Sequence, residues 1–344
     1  MNLNHQTKIW LILISLWVIN GSSFLAIKVA IDTIPPLLSA GLRFSIAGAI
    51  LFTIYFLQVN RRRLWEHHDL DHSQKIPEVG QNIRAQVKVP REKITLQQWK
   101  DSLILGVTLF LGGQGLLTWG AQYLSSGMTG LLNSTIPLWV AIIGYLLYRW
   151  FKKDTLGNKM NKGTMLGLVA GFGGLMLLVG PSIGSGDLDP IGTVALIISS
   201  ISWAIGSIYS TRAQLPVSIL ASAGMIMITG GLMLTGVSFI FGEYRDLDLT
   251  QISIQSIVAQ IYLIGIITVV GFTDFYWLLR VTSASLANTF AYVSPVIAVL
   301  LGVVVLHENI TLITVIAMVI ILAGVALMVT KKKAPSKSKQ IESS

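Results

Sequence analysis

Apolar residues dominate this chain in blocks of about twenty, the length a helix needs to cross the hydrocarbon of a bilayer. Short clusters of charge, proline and glycine separate the blocks. The pattern predicts spans at Ile9–Ala30, Pro36–Leu57, Asp101–Tyr123, Gly127–Arg149 and Gly163–Pro181. It predicts five more at Gly192–Arg212, Ile219–Phe241, Ile257–Leu279, Ser285–Leu306 and Thr311–Val329. One polar stretch breaks the rhythm: residues 58–100 are rich in charge and lack apolar periodicity, which predicts a loop or partly disordered insert. A basic tail, 331–344, closes the chain.

The blocks repeat. At a constant separation of 158 positions, Pro295 answers Pro137, Gly302 answers Gly144, Ser283 answers Ser125, Trp277 answers Trp119 and Gly271 answers Gly113. One offset shared by five landmarks indicates two related halves. The first comprises 1–57 and 101–181, with 58–100 inserted, and the second comprises 192–330. Five spans are an odd number, so the second half enters the membrane upside down relative to the first. Such inverted repeats are typical of secondary transporters, whose sites lie near the midplane between them.

Composition agrees: 53% of 344 residues are hydrophobic and 12% are charged, where soluble domains carry about 25% charged residues. No cysteine is present, which excludes disulfides and thiolate metal sites. The net charge of +9 is compatible with nucleic acid, but its placement argues for a membrane surface instead. Of the 25 lysines and arginines, all but Lys28, Arg43 and Arg245 fall on segments that one orientation places on a single side. By the positive-inside rule that side is the cytoplasm, and it holds both termini. The fold expected is therefore an all-α integral membrane protein of ten helices, two inverted five-helix repeats, in the inner or plasma membrane.

The run PVIAVLLGVVVLHENITLITVIAMVIILAGVALMV has a proline, small apolar residues, a glutamate and a glycine-bearing last helix. NGSSFLAIKVA with PPLLSAGLRFSIAGAIL has a Gly-Ser, a terminal lysine and a Leu-Arg-Phe. These resemble the closing and opening of an EamA-type repeat, so the chain resembles the EamA-like family of the drug/metabolite transporter superfamily over nearly all of 9–330. The resemblance implies an exporter or exchanger of metabolites, often amino acids, in some members nucleotide sugars or drugs. Two features depart from the pattern. Trp150 stands where the first half would match Glu308, and the 58–100 insert exceeds the family's short link.

Polar residues inside the blocks are the candidates for chemistry, because a charge in hydrocarbon costs at least about 2.5–3.5 kcal/mol and is placed against a cavity or a partner. Arg43 lies deep in the second span and reads either as an anchor for a substrate carboxylate or as a structural partner of helix ends. Lys28 lies near a span end, from which it can snorkel outward. Asp274 stands one turn before Trp277 and reads as a proton site or as a structural hydrogen-bonding group. Asn20 and Ser23, Gln114 and Thr118, and Asn288 and Tyr292 form polar rows that line a wet path or bond helix to helix. The deep aromatics Trp17, Trp119, Trp203, Tyr209, Trp277 and Tyr292 wall a pocket or simply pack. Pro137 and Pro295 give matched kinks and candidate hinges.

Gly163, Gly167 and Gly171 suit either an internal helix contact or a dimer face, leaving monomer and homodimer open. In the insert, HHDLDH (67–72) has metal-ligating residue types, but a solvated loop is the simpler account, and no metal site is expected. There is no phosphate-binding glycine loop and no nucleophile–base set, so neither cofactor nor enzyme chemistry is expected. The expected partners are the lipid bilayer and a small-molecule substrate, with no nucleic acid. The sequence thus points to alternating-access export or exchange of small organic metabolites, amino acids first. Two alternatives remain: a nucleotide-sugar or lipid-linked carrier of the same fold, and a non-transporting membrane scaffold or sensor.

Overall fold

The computed structural model describes residues 5–72, 94–151, 162–185, 189–245, 247–281 and 290–330, and among these it is entirely helical apart from turns and short connections. The helices are α1 (His5–Ala30), α2 (Pro36–His72), α3 (Leu96–Gly120), α4 (126–151, in two pieces), α5 (Lys162–Ser185) and α6 (Pro190–Ser210). They continue as α7 (Ile219–Phe241), α8 (254–281), α9 (Phe290–Leu306) and α10 (Leu312–Thr330). Among the described residues seven helices are long and apolar enough to cross a membrane, and three shorter apolar stretches lie in α5, α9 and α10.

Helix ends follow local chemistry. Thr95 and Gln98 form a capping box at the start of α3, and Asp189 accepts from the Ile191 and Gly192 amides ahead of Pro190 at the start of α6. Helix α2 runs past Leu57 to His72, so part of the polar insert is helical rather than loop. The physical reason is that no glycine or proline occurs between Gln58 and His72, and charged side chains do not break a helix. The rest of the insert up to Lys93 and the side chains of HHDLDH lie outside the described residues.

Packing shows the duplication. Helix α2 lies along α7, α5 along α10 and α4 on α9; α1 packs on α9 as α6 packs on α4, α3 on α6 as α8 on α1, and α3 on α7 as α8 on α2. Exchanging the two sets of five maps the first three contacts onto themselves and each of the others onto its stated counterpart. At the α2–α7 interface Gly41 faces Thr235, Gly231 faces Ser45, Gly48 faces Ile228 and Gly224 faces Phe52. Positions rise along one helix as they fall along the other, so α7 runs antiparallel to its counterpart α2. A first side-chain carbon at Gly48 or Gly231 would strike the partner's backbone. Glycine there lets the two backbones approach, which is how helices associate where lipid is as apolar as leucine. In α5, Gly167 and Gly171 meet Gly324 of α10, so this glycine row is an internal contact.

The apolar core joins the halves. Phe44 and Leu51 of α2 and Phe110 of α3 pack with Met227 and Leu234 of α7, while Leu131 and Leu138 of α4 pack with Val299 of α9 and Ile321 of α10. The outer faces are apolar as well. Val194, Ile198 and Ile205 are exposed along α6, whereas Ser199, Ser200 and Gly206 turn inward. An apolar exterior over a partly polar interior suits lipid as solvent.

Candidate functional site

About two turns into α2, Arg43 is 7% exposed. Its Nε donates to Thr268 Oγ1 of α8 at 3.0 Å, and its guanidinium carbon lies 4.8 Å from the centre of the Phe44 ring. Among the described residues its two Nη nitrogens have neither a hydrogen-bond partner nor a carboxylate. Aromatic edges continue outward from the cation: Phe44 meets Phe110 of α3 at 4.5 Å, and Phe110 meets Trp203 of α6 at 6.4 Å. The charge therefore sits where α2 meets α8, with α3 next along the aromatic row and α6 at its far end.

Both helices that flank this junction depart from α geometry. Residues Gly106–Gly115 of α3 and Leu263–Val270 of α8 are π-helical, and they occupy matching positions of the two halves. The Gly271 amide bonds back to the Ile266 carbonyl, five residues earlier, as a π turn requires. Longer turns leave carbonyls turned outward, and side-chain hydroxyls take them up. Ser202 and Ser199 of α6 donate to the Thr108 and Gly113 carbonyls at 2.8 and 2.7 Å. Thr268 donates to the Leu263 carbonyl at 2.8 Å while accepting from Arg43. Neither the π stretches nor Thr268 stood out in the sequence; the clustered Gly112, Gly113 and Gly115 were a signal in α3, and α8 offers none comparable.

The other sequence candidates divide. Trp203 joins the aromatic row beside Arg43, and Gln114 and Thr118 stand on α3 without hydrogen bonds among the described residues. Trp17 and Trp277 pack elsewhere, in a cluster with Leu13, Leu16 and Leu278. Asn20 and Ser23 bond their own helix, to the Leu16 and Asn20 carbonyls. Trp119 pairs edge-on with Tyr123 at 5.2 Å. Tyr209 donates to Asp101 at 2.7 Å, and the same carboxylate takes the Gln214 amide at 2.6 Å, which makes a brace between the start of α3 and the end of α6. Asp274 accepts from Ser15 on α1. Asn288 and the side chain of Tyr292 lie outside the described residues.

The paired prolines differ in setting. Pro137 is the second residue of a helical piece, Ile136–Phe151, that restarts after a break at Ser134 and Thr135, so its missing N–H falls where a helix has no use for one. Pro295 lies inside α9.

Lys28 and Glu308 hold the link between α3 and α4. The Lys28 ammonium donates to the carbonyls of Ala121, Gln122 and Leu124 at 2.8–3.0 Å. Glu308 accepts from the Ser126 amide at 2.6 Å, the Ser126 hydroxyl at 2.9 Å and the Gly127 amide at 3.2 Å, which caps α4. His307, left-handed at φ 53°, ends α9 and turns Glu308 back toward that cap. A cation on carbonyls and an anion on amides satisfy groups that would otherwise be stranded where the helices end. Lys28 is thereby committed to structure, and Trp150, the counterpart of Glu308, is 73% exposed.

Apolar helices duplicated and packed through an antiparallel interface, with the Arg43 cation buried among them, define a multi-pass membrane protein of two related repeats. The family model for the EamA-like transporter family matches residues 84–180 and 190–330, and the chain belongs to that family. Its first matched stretch begins beyond α1 and α2, but relatives align over nearly the whole chain. The uncharacterized transporter YoaV of Bacillus subtilis is 28% identical over 93% of this chain and 96% of its own. The uncharacterized inner membrane transporter YedA of Escherichia coli is 29% identical over 93% and 90%. One crystal structure shares the fold at a TM-score of 0.56, with 17% identity over 94% of this chain and 97% of that one.

Proposed function

We propose that the protein is a secondary transporter that exports or exchanges small organic metabolites, amino acids and related carboxylates first, by alternating access between two inverted repeats. In this reading all ten helices span the cytoplasmic membrane and both termini are cytoplasmic, as the distribution of lysine and arginine argues. The observation that carries the reading is Arg43. A buried guanidinium without a carboxylate is costly unless something arrives to neutralise it, and its two Nη nitrogens are the donors a carboxylate engages. With Lys28 committed to three carbonyls, Arg43 is the cation left in the spans for a ligand among the described side chains, which favours a substrate with a single anionic group over a diphosphate. Trp203, Phe110, Gln114 and Thr118 then supply the remaining wall, and Pro295 with the break before Pro137 supplies flexible points for the two halves to rock.

The test is counterflow in proteoliposomes. Vesicles preloaded with an unlabelled amino acid accumulate the same radiolabelled one when they carry this protein and not when they are empty. Absence of counterflow across the twenty amino acids and a set of simple carboxylic acids, with monodisperse protein, would defeat the reading.

A further inference from the structure

We propose that Thr268 is a positioning residue that passes the occupancy of Arg43 to the π-helical turn of α8, so that anion binding loosens that turn. This rests on the reading of Arg43 as an anion anchor. A hydroxyl has one proton and two lone pairs. Thr268 spends the proton on the Leu263 carbonyl and receives Arg43 Nε on a lone pair, at 2.8 and 3.0 Å. Both groups are buried, and in such a chain the positive end polarises the hydroxyl and strengthens its bond to the carbonyl. An anion at the guanidinium removes that polarisation. If it binds through Nε and one Nη, it also takes the Nε proton away from Thr268 altogether.

The consequence falls on the segment that has least to spare. A π turn is an uncommon geometry kept by local circumstance, and among the described residues the Leu263 carbonyl has this one side-chain brace. Conversion of the stretch toward α geometry shifts the helical register of Gly271–Val281, and with it the Asp274 contact to Ser15 on α1. Substrate arrival in α2 is thereby felt where α8 packs on α1, across the two halves.

Two measurements on the full-length protein in detergent test this. Amide hydrogen exchange over 263–270 is followed in the wild type, Arg43→Gln, Thr268→Val and the double variant. Each single substitution is expected to raise exchange there several-fold, the double to add nothing beyond the larger single, and Thr268→Ser, which keeps the hydroxyl, to restore the wild-type pattern. Additive effects, or no change in Thr268→Val, overturn the relay. Thr268→Ser also serves as the folded comparison should the valine variant fail to yield monodisperse protein; wild-type exchange in Thr268→Ser together with raised exchange in Arg43→Gln then supports the relay, and unchanged exchange in Arg43→Gln overturns it. The second measurement adds acetate, benzoate or glutamate. A thermal shift lost in Arg43→Gln supports the anchor, and increased exchange over 263–270 under the same conditions supports the relay. A shift with no change in exchange overturns the relay alone, whereas no shift from any of the three overturns the anchor and the relay with it.

Discussion

The two π-helical stretches occupy matching places in the duplicated halves and are held in different ways. In α3 the stretch is rich in glycine, and neutral serines of α6 close on its carbonyls, with Gly112 against Ser202 and Gly113 against Trp203. In α8 the stretch is almost wholly aliphatic, and its brace runs through Thr268 to a charged group on α2. Duplication has preserved a backbone irregularity while the chemistry around it has diverged. One copy is held by packing and neutral hydrogen bonds, the kind of contact that stays put. The other is wired to the buried cation of Arg43, and under the proposed reading of Arg43 as an anion anchor it is the copy able to respond.

That contrast is broken most directly at the cation. Arg43→Gln keeps size and polarity but removes the charge, and counterflow is expected to fall by about tenfold or more, the loss that corresponds to about 1.4 kcal/mol of ligand binding. Arg43→Lys is expected to retain part of it, because an ammonium keeps the charge without the planar fork. Initial rates in proteoliposomes measure both. Equal rates in wild type and Arg43→Gln would make the two π stretches functionally alike. Next in size is the interface on which both depend. Gly231→Leu drives a side chain into the Ser45 backbone, and overpacking of this kind costs about 1–3 kcal/mol. Gly236, on the same helix, has open space around it, and Gly236→Ala is expected to be neutral or to gain up to about 1 kcal/mol. Thermal melts of the two variants that move together would refute the close α2–α7 approach.

Much of this was legible beforehand. Apolar block length located the helices, and a constant offset between landmarks revealed the duplication, because both depend on local composition. Arg43 stood out for the same reason: a charge within an apolar block is visible without coordinates. What escaped depends on partners far apart in the chain. Tyr209 reads as a deep aromatic until Asp101 is seen to hold it, and Asn20 and Ser23 read as a polar row until they are seen to donate to the Leu16 and Asn20 carbonyls of their own helix. The paired prolines look equivalent by spacing, yet one starts a helical piece and the other interrupts a helix. The π stretch of α8 was invisible because aliphatic residues carry no mark of a longer turn, whereas that of α3 left only its clustered glycines; the hydroxyls that donate to their carbonyls come from residues whose role shows only in the fold.

A smaller effect separates fastening from function at the α3–α4 link. Glu308→Gln keeps one acceptor oxygen where the Ser126 and Gly127 amides now use two, and it loses the charge that suits a helix N-terminus; helix caps and dipole charges are worth about 0.5–2 kcal/mol. The melting temperature is expected to drop accordingly, with the counterflow rate per folded molecule unchanged. A rate that falls while the melt stays fixed would move Glu308 from structure into the transport path.

The smallest effect tests the neutral brace itself. Ser199→Ala and Ser202→Ala each remove one hydroxyl from α6, and hydrogen bonds between membrane helices average about 0.6 kcal/mol. Each is therefore expected to lower stability slightly, and the pair to lower it by about the sum, because the two bonds end on different carbonyls. Neither should alter how exchange over 263–270 responds to a carboxylate, since neither touches Arg43 or Thr268. If Ser199→Ala changed that response, the two π stretches would be coupled through the packed core, and the division between a held copy and a responsive one would give way to a single unit that moves together.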